Sequence, residues 1–231
     1  MIMNKEEKHK KILEIVQEKL TCSAHSLDHV LRVHNLCLLI ADYEENVDFG
    51  ILIPSALLHD IARVEESEDV TGKIDHAELG SEMAQEILIK LEYDEEKIKN
   101  IKHCIKTHRF RTGNEPKTIE AKILFDADKL DAIGATGIAR TFMLAGQFGQ
   151  RLILNENMDS YLQSNTVENG RLKKMSEHTP FMEYELKLKN ISKKLYTEKG
   201  KELGKERARL MNEYFESLKI EIESAKIFED N

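Results

Sequence analysis

Four residues have types and positions that could do chemistry: His29, the adjacent pair His59 and Asp60, and Asp128. The pair sits inside "ALLHDIA" (56–62), an apolar run in which two neighbouring polar groups are costly to bury. His29 falls on the stripe 29, 33, 36, 40 of an apolar helical repeat. Asp128 falls on another, with Ala121, Leu124 and Phe125. One inward polar residue is ordinarily a hydrogen-bonded core group. Four of them, two neutral imidazoles and two carboxylates, make a donor set for a divalent ion. Mn²⁺, Fe²⁺, Co²⁺, Ni²⁺ or Zn²⁺ all suit it, and the residue types do not choose among them. Four protein ligands on an octahedral ion leave room for a water and a substrate oxygen. No HExxH and no GxxxxGK[ST] occurs, which argues against a zincin or a P-loop enzyme.

Helices must position these groups. Three prolines and eleven glycines interrupt the chain, and no stretch shows sustained alternation of apolar and polar residues. Helical spacing predicts helices over 5–20, 27–42, 76–91 and 95–108, and one entered near Pro54. Gly80 and Ala84 give the 76–91 helix a small face for close approach. His108 continues the stripe of Ile98, Ile101 and Ile105 and so points inward. Residues 117–146 read as two helices hinged near Gly134 or Gly137. Two amphipathic helices follow near 181–196 and 198–222. The least apolar stretch, 153–180, is long for a structureless loop and reads as a lid, an insert or short helices. The expectation is an all-α fold forming one domain over 1–231, with a core at about 20–150 and the C-terminal helices packed on it.

Composition limits the function classes. The chain has 231 residues, 41% of them apolar, enough for a sizeable core. Its net charge of −8 argues against general nucleic-acid binding, which needs a basic surface. No apolar run approaches a membrane span, and "MIMNKEEKHKK" lacks the apolar region of a secretory signal. Three cysteines without CxxC spacing fit small core residues of a reducing compartment. A cytoplasmic protein is expected, monomeric or homodimeric.

The pattern His29 … His59-Asp60 … Asp128 resembles the H…HD…D signature of the HD-domain metal-dependent phosphohydrolases. The flanks "HVLRV", "LLHDIA", "HAELG", "IKTHRFR", "PKTIEAKI" and "DADKLDAIGATGIART" match as well. "GKELGKERARLMNEYF" is similar to the C-terminal helix of a bacterial subgroup of small HD proteins. The resemblance covers about residues 20–220. It implies an HD-domain helical bundle holding one divalent transition metal per chain on His29, His59, Asp60 and Asp128. "DADKLD" offers Asp126, Asp128 and Asp131. The resemblance and the apolar stripe both favour Asp128, and Asp131 is expected as a substrate contact. His25, four residues before His29, is expected to be a loop residue ahead of an N-cap at Ser26.

The ligand set implies phosphate chemistry around it. Residues 97–112 carry Lys97, Lys99, Lys102, Lys106, Arg109 and Arg111 and no acidic residue. The first three read as a solvated helix face. Lys106, Arg109 and Arg111 flank His108 and are expected to grip substrate phosphate, since guanidinium pairs with phosphate oxygens through two parallel bonds. Arg32 and Lys129, next to the ligands along the chain, are expected to join them, and Arg140 is a weaker candidate. His76 and His108 are the expected proton-transfer or positioning groups. Glu65 or Glu66 would orient the water. The resemblance implies a nucleotide phosphohydrolase, with nucleoside triphosphate pyrophosphohydrolysis as the leading reaction. The alternative is a metal-bound module that senses nucleotides with little turnover. No GYP triplet follows the HD pair, which argues against a cyclic-dinucleotide enzyme of that type.

Overall fold

The structure, a computed structural model, describes residues 3–20, 27–69, 71–109, 114–152, 158–165, 172 and 174–226. Eleven α-helices and two 3-10 turns make up the described residues, with no β-strand among them. None of these helices is long and apolar enough to cross a membrane. The chain divides into two compact units, 1–129 with 195–200, and 130–194 with 201–231.

The first unit begins with α1 (Lys5–Lys19), opened by a capping box between Asn4 and Glu7, and α2 (Leu27–Ala41). Next comes α3 (Phe49–Leu58), whose sequence FGILIPSALL is apolar all round and therefore buried. It packs against α1, α2 and, further along, α6 (Glu95–Thr107). It starts five residues before Pro54, because Asp48 caps it by accepting from the Gly50 N–H at 2.7 Å. Pro54 removes one internal donor from a helix that packing holds on three sides. The short α4 (Arg63–Glu68) leads to α5 (His76–Lys90), capped by Asp75. α5 packs on α6. A Cβ on Gly80 would lie 3.5 Å from Ile61 and 3.8 Å from the His59 carbonyl, so the small face receives the turn that carries the His-Asp pair. α7 (Ile119–Asp131) brings Asp128. Cys37 and Cys104 are buried thiols, and burial pushes Cys104 up to about 12.

α7 ends at Asp131 and α8 (Gly134–Gln147) begins at Gly134, with φ of +74°, which only glycine adopts cheaply. The hinge is therefore at Gly134, and Gly137 lies inside α8. The second unit continues with α9 (Met158–Asn165), α10 (Pro180–Leu186) and most of α11 (Glu198–Lys226). The helix expected over 181–196 is broken at Lys187. A 3-10 stretch, Leu188–Lys194, follows, and it buries Leu188 and Ile191 at its own spacing of three. Within 153–180 the described residues form α9 and a 3-10 turn, Met175–Glu177. They are tied by buried polar groups. Tyr161 Oη lies 2.6 Å from His178 Nδ1, and His178 Nε2 lies 2.9 Å from Glu183.

Candidate metal centre

His59 and Asp60 lie where α3 runs out in the protein interior. A buried helix end leaves carbonyls without partners. His59 answers this locally: its Nδ1–H donates to the Ala56 carbonyl at 2.7 Å, which turns Nε2 outward from the helix. His108 repeats the device at the end of α6, donating from Nδ1 to the Ile105 carbonyl at 2.5 Å. His29 stands in the first turn of α2, and His76 is the first residue of α5. The apolar run holds a His-Asp pair at a buried helix end, where the His59 ring takes up a carbonyl and Asp60 turns its carboxylate toward the neighbouring histidines.

Six donors converge in two groups: His29, His59 and Asp128, and Asp60, His76 and His108, with the donor atoms of each group within 4.8 Å of one another. All six residues are at most 8% exposed. His29 Nε2 lies 3.3 Å from His59 Nε2 and 3.5 Å from Asp128 Oδ1. His76 Nε2 lies 3.3 Å from His108 Nε2. Asp60 joins the groups. Its Oδ2 is 3.5 Å from His29 and 3.7 Å from His59. Its Oδ1 is 3.5 Å from His108 and 3.7 Å from His76.

The electrostatics suit a cation. Burial lowers the His59 imidazole from 6.5 to about 4, so near neutral pH the ring carries no charge and Nε2 keeps its lone pair. Burial, with Arg63 beside it, lowers His76 to about 4 as well. Burial alone would raise Asp60, but Arg63 and then His59 outweigh it and hold the carboxyl well below the usual range. Lys129 does the same for Asp128. Asp60 Oδ2 is buried and makes no hydrogen bond, an expensive state unless something else binds it. His29, His59, Asp128 and that oxygen have the chemistry of a divalent transition-metal site.

The three aspartates of "DADKLD" take three directions. Asp126 is fully buried and accepts from the Tyr196 N–H at 2.9 Å, the Thr197 N–H at 2.7 Å and the Thr197 hydroxyl at 2.6 Å. It fastens α7 to residues 195–200. Asp128 faces His29. Asp131 belongs to the second unit, where Arg140 Nη1 holds it at 2.8 Å.

The basic residues divide similarly. Lys129 Nζ lies 2.5 Å from Asp128 Oδ2. Arg109 is held by Asp75 and by Glu66 at 3.3 Å. Lys106 pairs with Glu78 at 2.7 Å, and Arg32 with Asp28. Lys102 meets Glu82 at 2.8 Å, as a solvated face should. Arg111, His25 and Ser26 lie outside the described residues. Of the two glutamates, Glu65 pairs with Lys19 at 3.4 Å, while Glu66 Oε2 faces His76 Nδ1 at 2.9 Å. Sequence reasoning missed Arg63. Its Nε donates to Asp60 Oδ1 at 2.9 Å and its Nη1 to Glu66 at 3.0 Å. A cation three residues after the Asp60 carboxylate was the available signal.

Comparison with known proteins shows the family. The HD domain family pattern matches residues 26–133. The YpgQ protein of Bacillus subtilis is 31% identical over 204 residues, spanning 87% of this chain and 85% of that protein. Its crystal structure in complex with ADP superposes with a TM-score of 0.69 at 28% identity, over 95% of this chain and 97% of that one. An HD-superfamily hydrolase from Bacillus thuringiensis gives a TM-score of 0.67 at 26% identity, over 95% and 99% of the two chains. With the family match, the helical fold and a near full-length likeness in agreement, this chain belongs to the HD-domain family.

Proposed function

We propose that this chain is a metal-dependent phosphohydrolase acting on nucleotides, and that its main reaction releases pyrophosphate from a nucleoside triphosphate. The observation that carries the reading is the buried donor set itself: His29, His59, Asp60 and Asp128 turned to one space, with Asp60 Oδ2 lacking any hydrogen bond. The ADP complex of the similar YpgQ protein supports a nucleotide ligand.

A divalent ion bound there supplies positive charge that polarises a phosphate oxygen and lowers the pKa of a water. The chain's own residues do the rest. Neutral His59 presents Nε2 as a ligand, and the Ala56 carbonyl fixes the ring. Lys129, resting on Asp128, is the ammonium best placed to meet phosphate oxygens as charge builds on them. His108 and His76, with Nε2 atoms 3.3 Å apart, serve proton transfer to or from the reacting oxygens. Glu66, behind His76 Nδ1, holds that ring in place.

Product analysis tests the reading. Metal-free protein is incubated with a panel of nucleoside mono-, di- and triphosphates and with Mn²⁺, Co²⁺, Ni²⁺ or Zn²⁺ in turn. Nucleoside monophosphate and pyrophosphate in equal amounts are expected from triphosphates. Orthophosphate as the first product would make the enzyme a phosphatase, and no turnover with any metal would remove the enzymatic reading.

A further inference from the structure

The second donor group, Asp60 Oδ1 with His76 and His108, has the composition of another metal site. Its three donor atoms lie 3.3 to 3.7 Å apart in the protein interior. His108 donates from Nδ1 to a carbonyl, and His76 turns Nδ1 to Glu66. Both rings turn Nε2 to the same space. One feature separates this group from the first: Asp60 Oδ1 already accepts a hydrogen bond from Arg63 Nε.

We propose that Arg63 restricts the centre to one divalent ion by occupying Asp60 Oδ1, the oxygen a second ion would need. The inference rests on the reading that the first group holds an ion.

Three observations carry it. Arg63 is fixed from behind, because Glu66 holds its Nη1 at 3.0 Å while also facing His76 and Arg109. The cations that meet the two carboxylates differ in which oxygen they take. Lys129 sits on Asp128 Oδ2 and leaves Oδ1 toward His29. Arg63 sits on the very oxygen of Asp60 that faces His76 and His108, and leaves Oδ2 toward the first group without a hydrogen bond. The charge balance points the same way. A second ion would find no further carboxylate in its group, and a guanidinium that stays charged at any working pH would stand beside it. Arg63 thus supplies near His76 and His108 the positive charge that two-metal phosphohydrolases draw from their second ion. Those two rings are left to serve substrate and water.

The test counts ions and does not require turnover. Metal-free wild-type protein is titrated with MnCl₂ by calorimetry, and bound Mn²⁺ is examined by electron paramagnetic resonance. The proposal expects one equivalent and the spectrum of an isolated ion. Arg63→Gln should take a second equivalent and give a spin-coupled spectrum. Adding His108→Ala to Arg63→Gln should bring the count back to one. Arg63→Lys, which keeps a cation at Oδ1, should stay at one. Two equivalents in the wild type or in Arg63→Lys overturn the proposal, and these two proteins decide it if Arg63→Gln fails to fold. A folded Arg63→Gln that still takes one ion overturns it too. A wild type that binds one ion yet hydrolyses no nucleotide removes the functional reading and leaves this one standing. A wild type that binds none removes both.

Discussion

His59 and His108 occupy equivalent places, at the ends of α3 and α6, each donating from Nδ1 to the carbonyl three residues back. Each has a second histidine 3.3 Å away and one oxygen of Asp60 within 3.7 Å. On the His59 side a second carboxylate, Asp128, completes the group, and the Asp60 oxygen there makes no hydrogen bond. On the His108 side the group has, among the described residues, no second carboxylate facing the Nε2 atoms, and Arg63 holds the oxygen. The comparison teaches that donor type and spacing do not by themselves decide what a buried cluster holds. On the reading proposed above, the partner of each carboxylate oxygen decides it, because charge in a low-dielectric interior has to balance locally.

The comparison is most exposed to changes at Asp60, which both sides share. Asp60→Asn should lose the bound metal, and nucleotide turnover with it, by more than about 10⁴-fold. Elemental analysis beside steady-state kinetics checks this, and a variant that keeps both would dissolve the assignment. His108→Ala should separate the two sides. Metal content and fold remain, while kcat falls by roughly 10²–10⁴-fold, the range for removing a proton-transfer group. Loss of the metal would place His108 among the ligands. Glu66→Gln should act more weakly, lowering kcat/KM by about 10–100-fold as a residue that orients His76 and holds Arg63.

The smallest effect concerns pH and stability. His59 and His76 have folded values near 4 against 6.5 when free, so the unfolded chain binds more protons between those limits. Stability is fully present above about pH 7 and is lost as pH falls through 6.5 toward 4. Asp60 and Asp128, held low in the folded chain, add to the loss once pH falls into the ordinary carboxylate range and below it. The unfolding midpoint of metal-free protein should be level above neutrality and fall steadily below it. Replacing His76 by Gln should flatten the fall.

Much of this was legible in the residues. His29 and Asp128 stand on helical apolar stripes, and the His-Asp pair interrupts an apolar run. Gly80 marked the face that receives the turn at 59–62. What stayed hidden depended on chain-distant partners. Asp126 and Asp128 are neighbours on one helix, and only the amides of Tyr196 and Thr197, some 70 residues on, show that Asp126 is a fastener. The sequence gives no sign that Arg109, expected to grip phosphate, also pairs with Asp75 and Glu66. Arg63 was missed because Asp60 lies in a turn and Arg63 begins the next helix, so the helical pairing rule did not bring them together. The early start of α3 came from a cap at Asp48 that an interior proline obscured.

The central claim is that one divalent ion on His29, His59, Asp60 and Asp128 drives phosphohydrolysis. Adding Mn²⁺ to metal-free protein in fractions of an equivalent, with turnover of a nucleoside triphosphate measured at each step, tests it most directly. The account predicts that the rate rises in proportion to the added ion and stops rising at one equivalent per chain. A rate that never departs from background, or one that begins only after the first equivalent is bound, would contradict it.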